Sequence, residues 1–222
     1  MNRALYVAKT GLEAQDFRLT TISNNLANAN TFGYKAGRAE FQDLMYQNIR
    51  QPGAQATQNA ENTYPSGIQM GTGVKAVGVQ KIHTDGNAVV SNNQLDVMIQ
   101  GKGFFQALDQ DGNVLYTRDG SFQLNQNGDI VTSSGFLIEP NINVPLNSTE
   151  VIISPDGIVS AKEGGNPDPV QIGQITIATF INPAGLESAG KTFFLETLAR
   201  GPPNVKNPET EEAGSLLQGA VE

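Results

Sequence analysis

The chain lacks cysteine and tryptophan and contains a single histidine, His83. Without cysteine it offers no thiol nucleophile, disulfide or cysteine zinc site, and one histidine excludes a multi-histidine metal centre. No apolar run approaches the roughly 20 residues that span a bilayer, so we expect the chain not to be membrane-inserted. The N-terminus also lacks the apolar core of a Sec signal peptide, so we expect any export to use another route.

Charged residues are also scarce, at 16% of the 222 residues, against about a quarter in ordinary globular domains. Asn, Gln, Ser, Thr and 24 glycines supply the missing polarity. This composition is typical of turn-rich β structure or of a surface that faces other protein. The net charge is −8, and the acidic residues predominate after residue 50, which argues against a nucleic-acid partner.

A heptad pattern runs through the N-terminus. Its positions are Leu5, Ala8, Leu12, Gln15, Leu19, Ile22 and Leu26. The pattern predicts a helix over residues 3–28 with a coiled-coil seam, about 39 Å long at 1.5 Å per residue. The alternative is an ordinary amphipathic helix docked on its own domain. Because no second helix of this length follows, we predict that a partner helix covers the seam, either one absent from this chain or one from a neighbouring copy.

The end of this helix is rich in asparagine, with four in the seven residues from 24 to 30. Asparagine is a poor helix former because its amide competes for nearby backbone groups. Asn28 or Asn30 suits a helix C-cap. Asn24 and Asn25 lie off the seam, and for them we predict packed contacts with neighbouring subunits, where an amide can both donate and accept.

The next segment, residues 31–73, connects the helix to the body of the chain. The apolar residues between 37 and 50, namely Phe41, Leu44, Met45 and Ile49, favour a short amphipathic helix over a strand. Residues 51–73 hold one charge, Glu61, and their polar composition predicts either a flexible linker or a long polar hairpin.

From Val74 onward the sequence predicts antiparallel β structure with no βαβ alternation. Ten short apolar or alternating runs are separated by turn dipeptides, and residues 202–214 are predicted as a surface loop before the last strand. Five dipeptides are typical of type I′ hairpin turns; they begin at Asp85, Asp111, Asp119, Asn127 and Asp156. The predicted fold is therefore mainly β, with a long N-terminal helix (1–30), a connecting segment (31–73) and an elongated antiparallel β domain (74–222).

None of the polar motifs predicts an active site. Residues 109–112 fit a hairpin turn better than a calcium loop, and residues 101–105 fit a β-bulge or corner better than a phosphate loop. Arg118 is predicted in a structural ion pair, with Asp119 or a neighbour, and His83 as a polar residue at a strand end. We therefore expect no catalytic, cofactor-binding or metal-binding residues, and no enzyme.

The segment ISNNLANANTFGYKAGRAEF resembles the N-terminal signature of the bacterial flagellar axial proteins, which form the rod, the hook and their junctions. The segments LYVAKTGLEAQ, DLMYQNIRQPGAQ, PSGIQMGTGVKAV, LDVMIQGKGFFQ, YTRDGSFQLNQNGDIVTSSGF, GLESAGKTFFLET and LLQGAVE are similar, in order, to distal rod subunits. The resemblance covers essentially the whole chain. The asparagine-rich signature indicates only the axial family, whereas the IRQPGAQ and PSGIQMGTG segments point to the distal rod.

The resemblance implies a structural subunit of a rigid helical tube with a central export channel, a drive shaft that crosses the periplasm to the hook. It also implies secretion through the flagellar type III apparatus without a cleaved signal. The implied partners are further copies of the chain, proximal rod proteins, the hook protein, the surrounding ring (bushing) proteins and the export apparatus. No cofactor is implied.

Three groups of residues carry the implied roles. The axial assembly helix uses Leu5, Leu12, Leu19, Ile22 and Leu26. The axial signature comprises Asn24, Asn25, Leu26, Ala27, Asn28, Thr31, Gly33, Tyr34 and Lys35. The rod-specific extension, within residues 51–73 and their flank, comprises Arg50, Gln51, Pro52, Gly53, Pro65, Gly67, Gly71 and Gly73.

Chains of this family continue into a C-terminal helix that pairs with the N-terminal one, whereas this sequence stops at Glu222. We therefore expect the chain alone to polymerise poorly. The alternatives are another axial protein, such as a proximal rod or hook subunit, and a secreted β-rich binding module or adhesin. A peptidoglycan-cleaving enzyme is less favoured because no paired carboxylates are evident.

Overall fold

A computed structural model describes residues 2–55, 64–164, 168–210 and 213–222. The chain divides into two compact units, one of residues 1–28 and 36–82 and the other of residues 29–35 and 83–222. Within the described residues the structure is mainly antiparallel β with one N-terminal α-helix, which confirms the predicted fold class. The boundaries predicted at residues 30 and 73 stay predictions.

The first unit consists of the helix and two small antiparallel sheets. Its elements are α1 (Arg3–Ala27), β1 (Gly37–Asp43), β2 (Gln47–Arg50), β3 (Ile68–Met70) and β4 (Val74–Lys81). The Asn2 side chain caps the start of α1 by accepting from the Ala4 amide, and Asn28 is the C-cap that follows the last helical residue, Ala27. Strand β1 pairs with β4 and β2 pairs with β3, while α1 packs on β1 and β4.

The short helix predicted between residues 37 and 50 is wrong, because β1 and β2 occupy this segment. Burial alternates along the start of β1, where Gly37 and Ala39 are more enclosed than Arg38 and Glu40. This period of two belongs to a strand whose one face is covered. Pairing with β4 along the whole of β1 outweighs the helical spacing of a few apolar side chains, since tertiary contacts override weak local preferences.

The second unit contains sixteen strands among its described residues. They are β5 (Val89–Val90), β6 (Val97–Gln100), β7 (Phe104–Leu108), β8 (Val114–Thr117), β9 (Phe122–Leu124), β10 (Ile130–Thr132), β11 (Leu137–Glu139), β12 (Ser148–Ile153), β13 (Ile158–Glu163), β14 (Val170–Gln174), β15 (Ile177–Thr179), β16 (Glu187–Gly190), β17 (Phe193–Leu195), β18 (Asn204–Lys206), β19 (Ser215–Gln218) and β20 (Ala220–Val221).

These strands form one large sheet and three smaller ones. The large sheet has the order β16-β17-β8-β7-β11-β10-β9, with β15 pairing β7 and β18 pairing β15. The smaller sheets are β12-β13-β14, β19-β6 and β20-β5. Their buried apolar residues form three clusters. The largest joins the large sheet to the β12–β13 and β19–β6 pairs, and in it the rings of Phe105 and Phe122 meet edge to face, 4.9 Å between centroids. All ten predicted strand segments contain a strand.

Three of the predicted hairpins exist, but their turns are not of type I′. At residues 109–113, the amide of Asp109 donates to the Asn113 carbonyl and the amide of Gly112 to the Asp109 carbonyl. Only Gly112 has a positive φ, of 81°, which is the pattern of a type I turn followed by a glycine bulge. The turns that end at Gly128 and Gly157 repeat it.

The remaining two dipeptides do not form hairpins. Strands β8 and β9, on either side of Asp119, pair with other strands rather than with each other. The Gly120 carbonyl instead accepts from the Val97 amide, and Asp85 binds Arg118. The loop predicted at residues 202–214 is also partly wrong, because β18 lies within it and pairs with β15.

Candidate assembly surface

The predicted seam of α1 lies on the solvent-exposed side of the helix. The exposed fractions are 70% for Leu5, 73% for Leu12, 61% for Leu19, 50% for Ile22 and 76% for Leu26. Scattered exposed leucines are ordinary on a protein surface. A continuous row of them at heptad spacing is the arrangement that a second helix covers. We call these five residues the leucine face.

The opposite side of α1 packs on the β1–β4 sheet, and it is poorer in large apolar residues. Its partly or fully enclosed positions include Thr10, Ala14, Phe17, Thr21 and Asn25, which recur every three or four residues as one helix face does. Phe17 provides the largest contact, edge to face with Phe41 at 6.3 Å between ring centroids. The helix therefore attaches to its own unit through small and polar side chains and leaves its leucines outside.

Asn25 joins α1 to strand β1. Its side-chain amide donates to the Gly37 carbonyl at 2.7 Å and accepts from the Gly37 amide at 2.9 Å. The donor and acceptor that we predicted for contacts with neighbouring subunits are thus both used within the chain. Asn28 is the C-cap and its side chain donates to the Asn24 carbonyl at 2.9 Å. For Asn24, contact with a neighbouring subunit stays a prediction.

An open apolar groove of about 1000 Å³ lies beside the N-terminal half of α1. The first two turns of the helix form one wall, including Leu5 and Tyr6. Gln47 of β2 and the segment from Met70 to Thr72, at the end of β3, form the other. The groove continues the exposed apolar character of the leucine face within the first unit.

The extension residues surround the base of the β2–β3 hairpin. The guanidinium of Arg50 lies over the Tyr64 ring, 3.8 Å from its centroid, and the Gly53 amide donates to the Tyr64 carbonyl at 2.9 Å. Gln51, Pro52 and Pro65 are exposed, Gly67 immediately precedes β3, and Gly71 and Gly73 lie between β3 and β4. The middle of the predicted extension, residues 56–63, lies outside the described residues.

The second half of the axial signature belongs to the β-rich second unit. Ala27 ends the helix, Thr31 is exposed, and Gly33 is buried with a φ of 68°. A Cβ on Gly33 would lie 2.4 Å from the Asp119 amide nitrogen, so only glycine fits there. Its amide donates to the Glu222 carbonyl at 3.0 Å. Burial raises the pKa of the adjacent Tyr34.

Lys35 lies in a buried cluster of charged residues. Its ammonium group pairs with the Glu222 carboxylate and donates to the Thr84 carbonyl at 2.8 Å. The Lys35 and Glu222 side chains are only 4% and 5% exposed. Burial lowers the pKa of Lys35, and its hydrogen bond to Glu222 opposes that shift.

Arg118 completes this cluster. It donates to Asp85 at 2.9 Å and to the Gly101 carbonyl at 2.7 Å, and it lies 3.8 Å from Glu222. The structural ion pair predicted for Arg118 is confirmed, with Asp85 as the partner instead of Asp119. Sequence reasoning missed Asp85 and Glu222, since Glu222 lies 136 residues from Gly86 and 187 residues from Lys35, both of which it contacts.

The polar motifs that the sequence analysis weighed as possible sites have structural roles in the second unit. Residues 109–112 form the hairpin turn described above, and Gly101 and Gly103, both with positive φ, form the predicted corner between β6 and β7. His83 packs between Phe104 and Phe194, 5.6 Å from each ring centroid. Among the described residues, no group of acidic or histidine side chains has the arrangement of a metal site. No helix in the described part of the chain has the length and hydropathy of a bilayer span.

Comparison with known proteins matches both units. The family model described as Flagella basal body rod protein matches residues 5–35, and the model described as Flagellar hook protein FlgE/F/G D1 domain matches residues 98–161. The flagellar basal-body rod protein FlgG of Buchnera aphidicola subsp. Acyrthosiphon pisum is 49% identical over 219 residues, which is 99% of this chain and 84% of that protein.

Relatives in other organisms include both a rod protein and a hook protein. The flagellar basal-body rod protein FlgG of Caulobacter vibrioides is 44% identical over 220 residues, 99% of this chain and 84% of its own length. The flagellar hook protein FlgE of Salmonella typhimurium is 32% identical over 165 residues, 74% of this chain and 33% of its own. The resemblance predicted from the signature segments is confirmed: the chain belongs to the FlgG family of flagellar basal-body rod proteins.

Proposed function

We propose that this member of the rod family polymerises into the distal rod, a rigid helical tube that transmits torque through the periplasm to the hook and surrounds the export channel. The role is structural and mechanical, and no catalysis is part of it. Its place is the flagellar basal body. The proposed partners are other copies of the chain, the proximal rod proteins, the hook protein and the ring proteins, with delivery by the type III export apparatus and no cleaved signal.

The leucine face is the observation that carries this proposal. Burying one leucine side chain gains roughly 1.5–3 kcal/mol, and α1 leaves five large aliphatic residues exposed by 50–76%. The packed side of the helix is already used by the β1–β4 sheet. A second helix laid on the leucine face would bury these side chains, and a subunit of a tube has neighbours on every side to supply one.

The signature residues support the same role in a different way from our sequence-based expectation. Gly33 and Lys35 fasten the segment after α1 into the second unit, and Asn25 fastens α1 to β1. Each contact already restricts the motion of these segments in the free subunit, so that this conformational entropy is not lost on assembly. A pre-ordered subunit loses less entropy when it binds its neighbours, and this suits a stiff shaft.

Complementation of a flagellated cell that lacks its own distal rod subunit tests the proposal. Because the chain alone is expected to polymerise poorly, we expect it to restore rods in reduced number in electron micrographs of isolated basal bodies, and Leu12→Glu with Leu19→Glu to abolish them. Thr20→Glu with Ser23→Glu is the matched control, because it adds two charges to exposed positions of α1 outside the leucine face. Normal rods from the leucine variant would contradict the proposal.

The extension gives a second test of the same function. We propose that residues 51–73 interlock neighbouring subunits and stiffen the tube, on the basis of the rod-type sequence at this position. Deletion of these residues is expected to leave α1 and the second unit folded and to give bent or shortened rods. Straight rods of normal length in micrographs of the deletion variant would remove the stiffening role.

A further inference from the structure

The sequence contains one Asn-Gly dipeptide, Asn127–Gly128, and it lies in the hairpin turn between β9 and β10. An asparagine before a glycine is chemically prone to deamidation, because glycine has no side chain to hinder attack by its own amide nitrogen. Asn127 is exposed to solvent, whereas Gly128 is buried and has a φ of 86°. The two groups that would react are therefore neighbours in the chain, but one is exposed and the other is enclosed.

Hydrogen bonds to Asn125 hold this turn closed. The Gly128 amide donates to the Asn125 carbonyl at 3.1 Å. The Asn125 side-chain oxygen accepts from the Asn127 amide at 2.8 Å and from the Asp129 amide at 2.9 Å. From the other side, the Asn143 side-chain amide donates to the Asn127 carbonyl at 2.8 Å. Asn125 thus fixes the backbone on both sides of the Asn-Gly bond.

Deamidation joins the Gly128 nitrogen to the side-chain carbon Cγ of Asn127. Water or hydroxide takes the Gly128 amide proton, the N–Cγ bond forms, the Cγ–Nδ2 bond breaks, and ammonia leaves behind a succinimide ring. Water then adds to one of the two ring carbonyls and opens the ring to aspartate or isoaspartate, with no change of oxidation state. The reaction therefore needs no co-reactant other than solvent.

The closed turn opposes the first step of this reaction. The Gly128 amide proton is already donated to Asn125, so it is withheld from solvent. Asn127 is the third residue of the type I turn, where ψ is about 0°, and ring closure needs a rotation of ψ that breaks the bond from Gly128 to Asn125. The backbone on the far side is also close, since a Cβ on Gly128 would lie 2.4 Å from the Val144 carbonyl oxygen. Ring closure therefore requires the turn to open.

We propose that Asn127 is a deamidation site whose rate is set by local opening of the turn at residues 125–129, and that Asn125 is the positioning residue that keeps this turn closed. Local openings cost less free energy than global unfolding, so the folded protein reacts slowly. An isoaspartate product adds one backbone methylene and one negative charge beside Asp129. The modification therefore accumulates with the age of the subunit at β9, the last strand of the large sheet.

Incubation of the full chain at mildly alkaline pH tests the proposal. Mass spectrometry of the peptide around residue 127 measures the conversion of amide to carboxyl, and labelling by an isoaspartate methyltransferase identifies isoaspartate. In guanidinium chloride we expect Asn127 to react faster than any other asparagine of the chain. In native buffer we expect its rate to be lower by at least about tenfold, which corresponds to a turn closed by about 1.4 kcal/mol. Asn127→Gln should remove the reaction at this position in both conditions.

Asn125→Ala tests the role of the turn. It removes the side-chain bonds to the Asn127 and Asp129 amides and should raise the native rate about tenfold, the effect of losing one or two hydrogen bonds. The matched control is Asn141→Ala, since Asn141 donates to Asp129 at 3.5 Å and, within the described contacts, not to Asn127. Its rate should stay unchanged. Hydrogen exchange of the Gly128 amide should rise by the same factor as deamidation in Asn125→Ala, while the amides of β7 keep their protection.

Each comparison has a result that would overturn part of the proposal. Equal rates in native buffer and in guanidinium chloride would overturn protection by the turn, and no reaction at Asn127 in guanidinium chloride would overturn the site itself. Equal native rates for Asn125→Ala and the unmodified chain would overturn the role of Asn125. If Asn125→Ala also exposes the amides of β7, Asn143→Ala takes its place, because it removes the bond to the Asn127 carbonyl, and an unchanged rate there would overturn control by turn opening. The reaction needs only the folded chain, so its outcome is separate from that of the rod experiments.

Discussion

The two units of this chain treat the same apolar residue types in opposite ways. In the second unit, Phe105, Ile177 and Val97 are fully buried among paired strands. In the first, α1 packs through small and polar residues and leaves its leucines exposed. The comparison shows that the second unit buries its largest apolar side chains for folding, whereas α1 of the first unit leaves its leucines available for assembly. Substitutions in the two places should therefore affect different measurements.

The largest expected difference is between a core residue and a residue of the leucine face. Phe105→Ala should lower the free energy of unfolding by about 3–5 kcal/mol, because it removes buried contacts and leaves a cavity. Leu19→Ala, at 61% exposed, should change it by less than about 0.5 kcal/mol. Urea unfolding of the unassembled chain measures both. Equal losses would show that α1 buries its leucine face within the chain.

The next effect concerns ion pairs. Lys35→Met leaves the Glu222 carboxylate buried without its ammonium partner, and breaking such a pair costs roughly 3 kcal/mol. The matched control is Lys9→Met, which breaks the exposed Lys9–Glu13 pair of 3.5 Å and should cost less than about 0.5 kcal/mol. Chemical denaturation again gives the values. A Lys35 variant as stable as the control would show that the cost of burying these charges cancels the stabilisation gained from pairing them.

A smaller effect is expected where α1 meets its own sheet. Asn25→Ala removes two hydrogen bonds to Gly37 and should destabilise the first unit by about 1–2 kcal/mol. Ser23→Ala, on the exposed side of the helix, is the control. Hydrogen exchange of the β1 amides reports the change locally. Unaltered hydrogen exchange together with fewer rods would contradict this account and would support the contact with a neighbouring subunit that the sequence predicted for Asn25.

The smallest effect is electrostatic and lies at the β9–β10 turn. Hydrogen bonds from Asn143 and Asn125 lower the pKa of Asp129 below 3.8. A carboxyl whose folded pKa is depressed stabilises above its unfolded pKa and loses that contribution as the pH falls through the folded value. Asp129→Asn should therefore flatten the decline of the thermal midpoint below about pH 4, while Asp111→Asn, in the β7–β8 turn, serves as control. An unchanged acid profile would contradict this account.

Local sequence patterns predicted the helix and the strands better than they predicted which strands pair. The heptad spacing predicted α1, and short apolar runs between turn dipeptides predicted the strands, because both patterns reflect which side of an element is buried. The segment from 37 to 50 failed because a few apolar residues fit either period, and pairing with β4 decides between them. The prediction of the turn type failed because a hairpin with a glycine bulge needs one residue with positive φ, whereas a type I′ turn needs two. In each of these turns only the glycine has a positive φ.

The candidate site was predictable in its leucines and not in its polar contacts. The leucine face, from Leu5 to Leu26, was predicted from the heptad spacing alone. That Asn25 binds Gly37, and that Lys35 pairs with Glu222, cannot be read from spacing, because 187 residues separate the second pair. The exposure of Ile181 and Leu198 was equally hidden, since both resemble core residues until the strands are placed.

The sequence by itself determined the family, the long helix with its heptad leucines, and the β-rich body, since these depend on local composition and period. Only the tertiary structure decided which side of α1 faces solvent, which charges are buried together, and which apolar side chains remain outside. The physical reason is that burial and ion pairing depend on distances between segments far apart in the chain. Those distances are fixed only when the strands pair and the core closes.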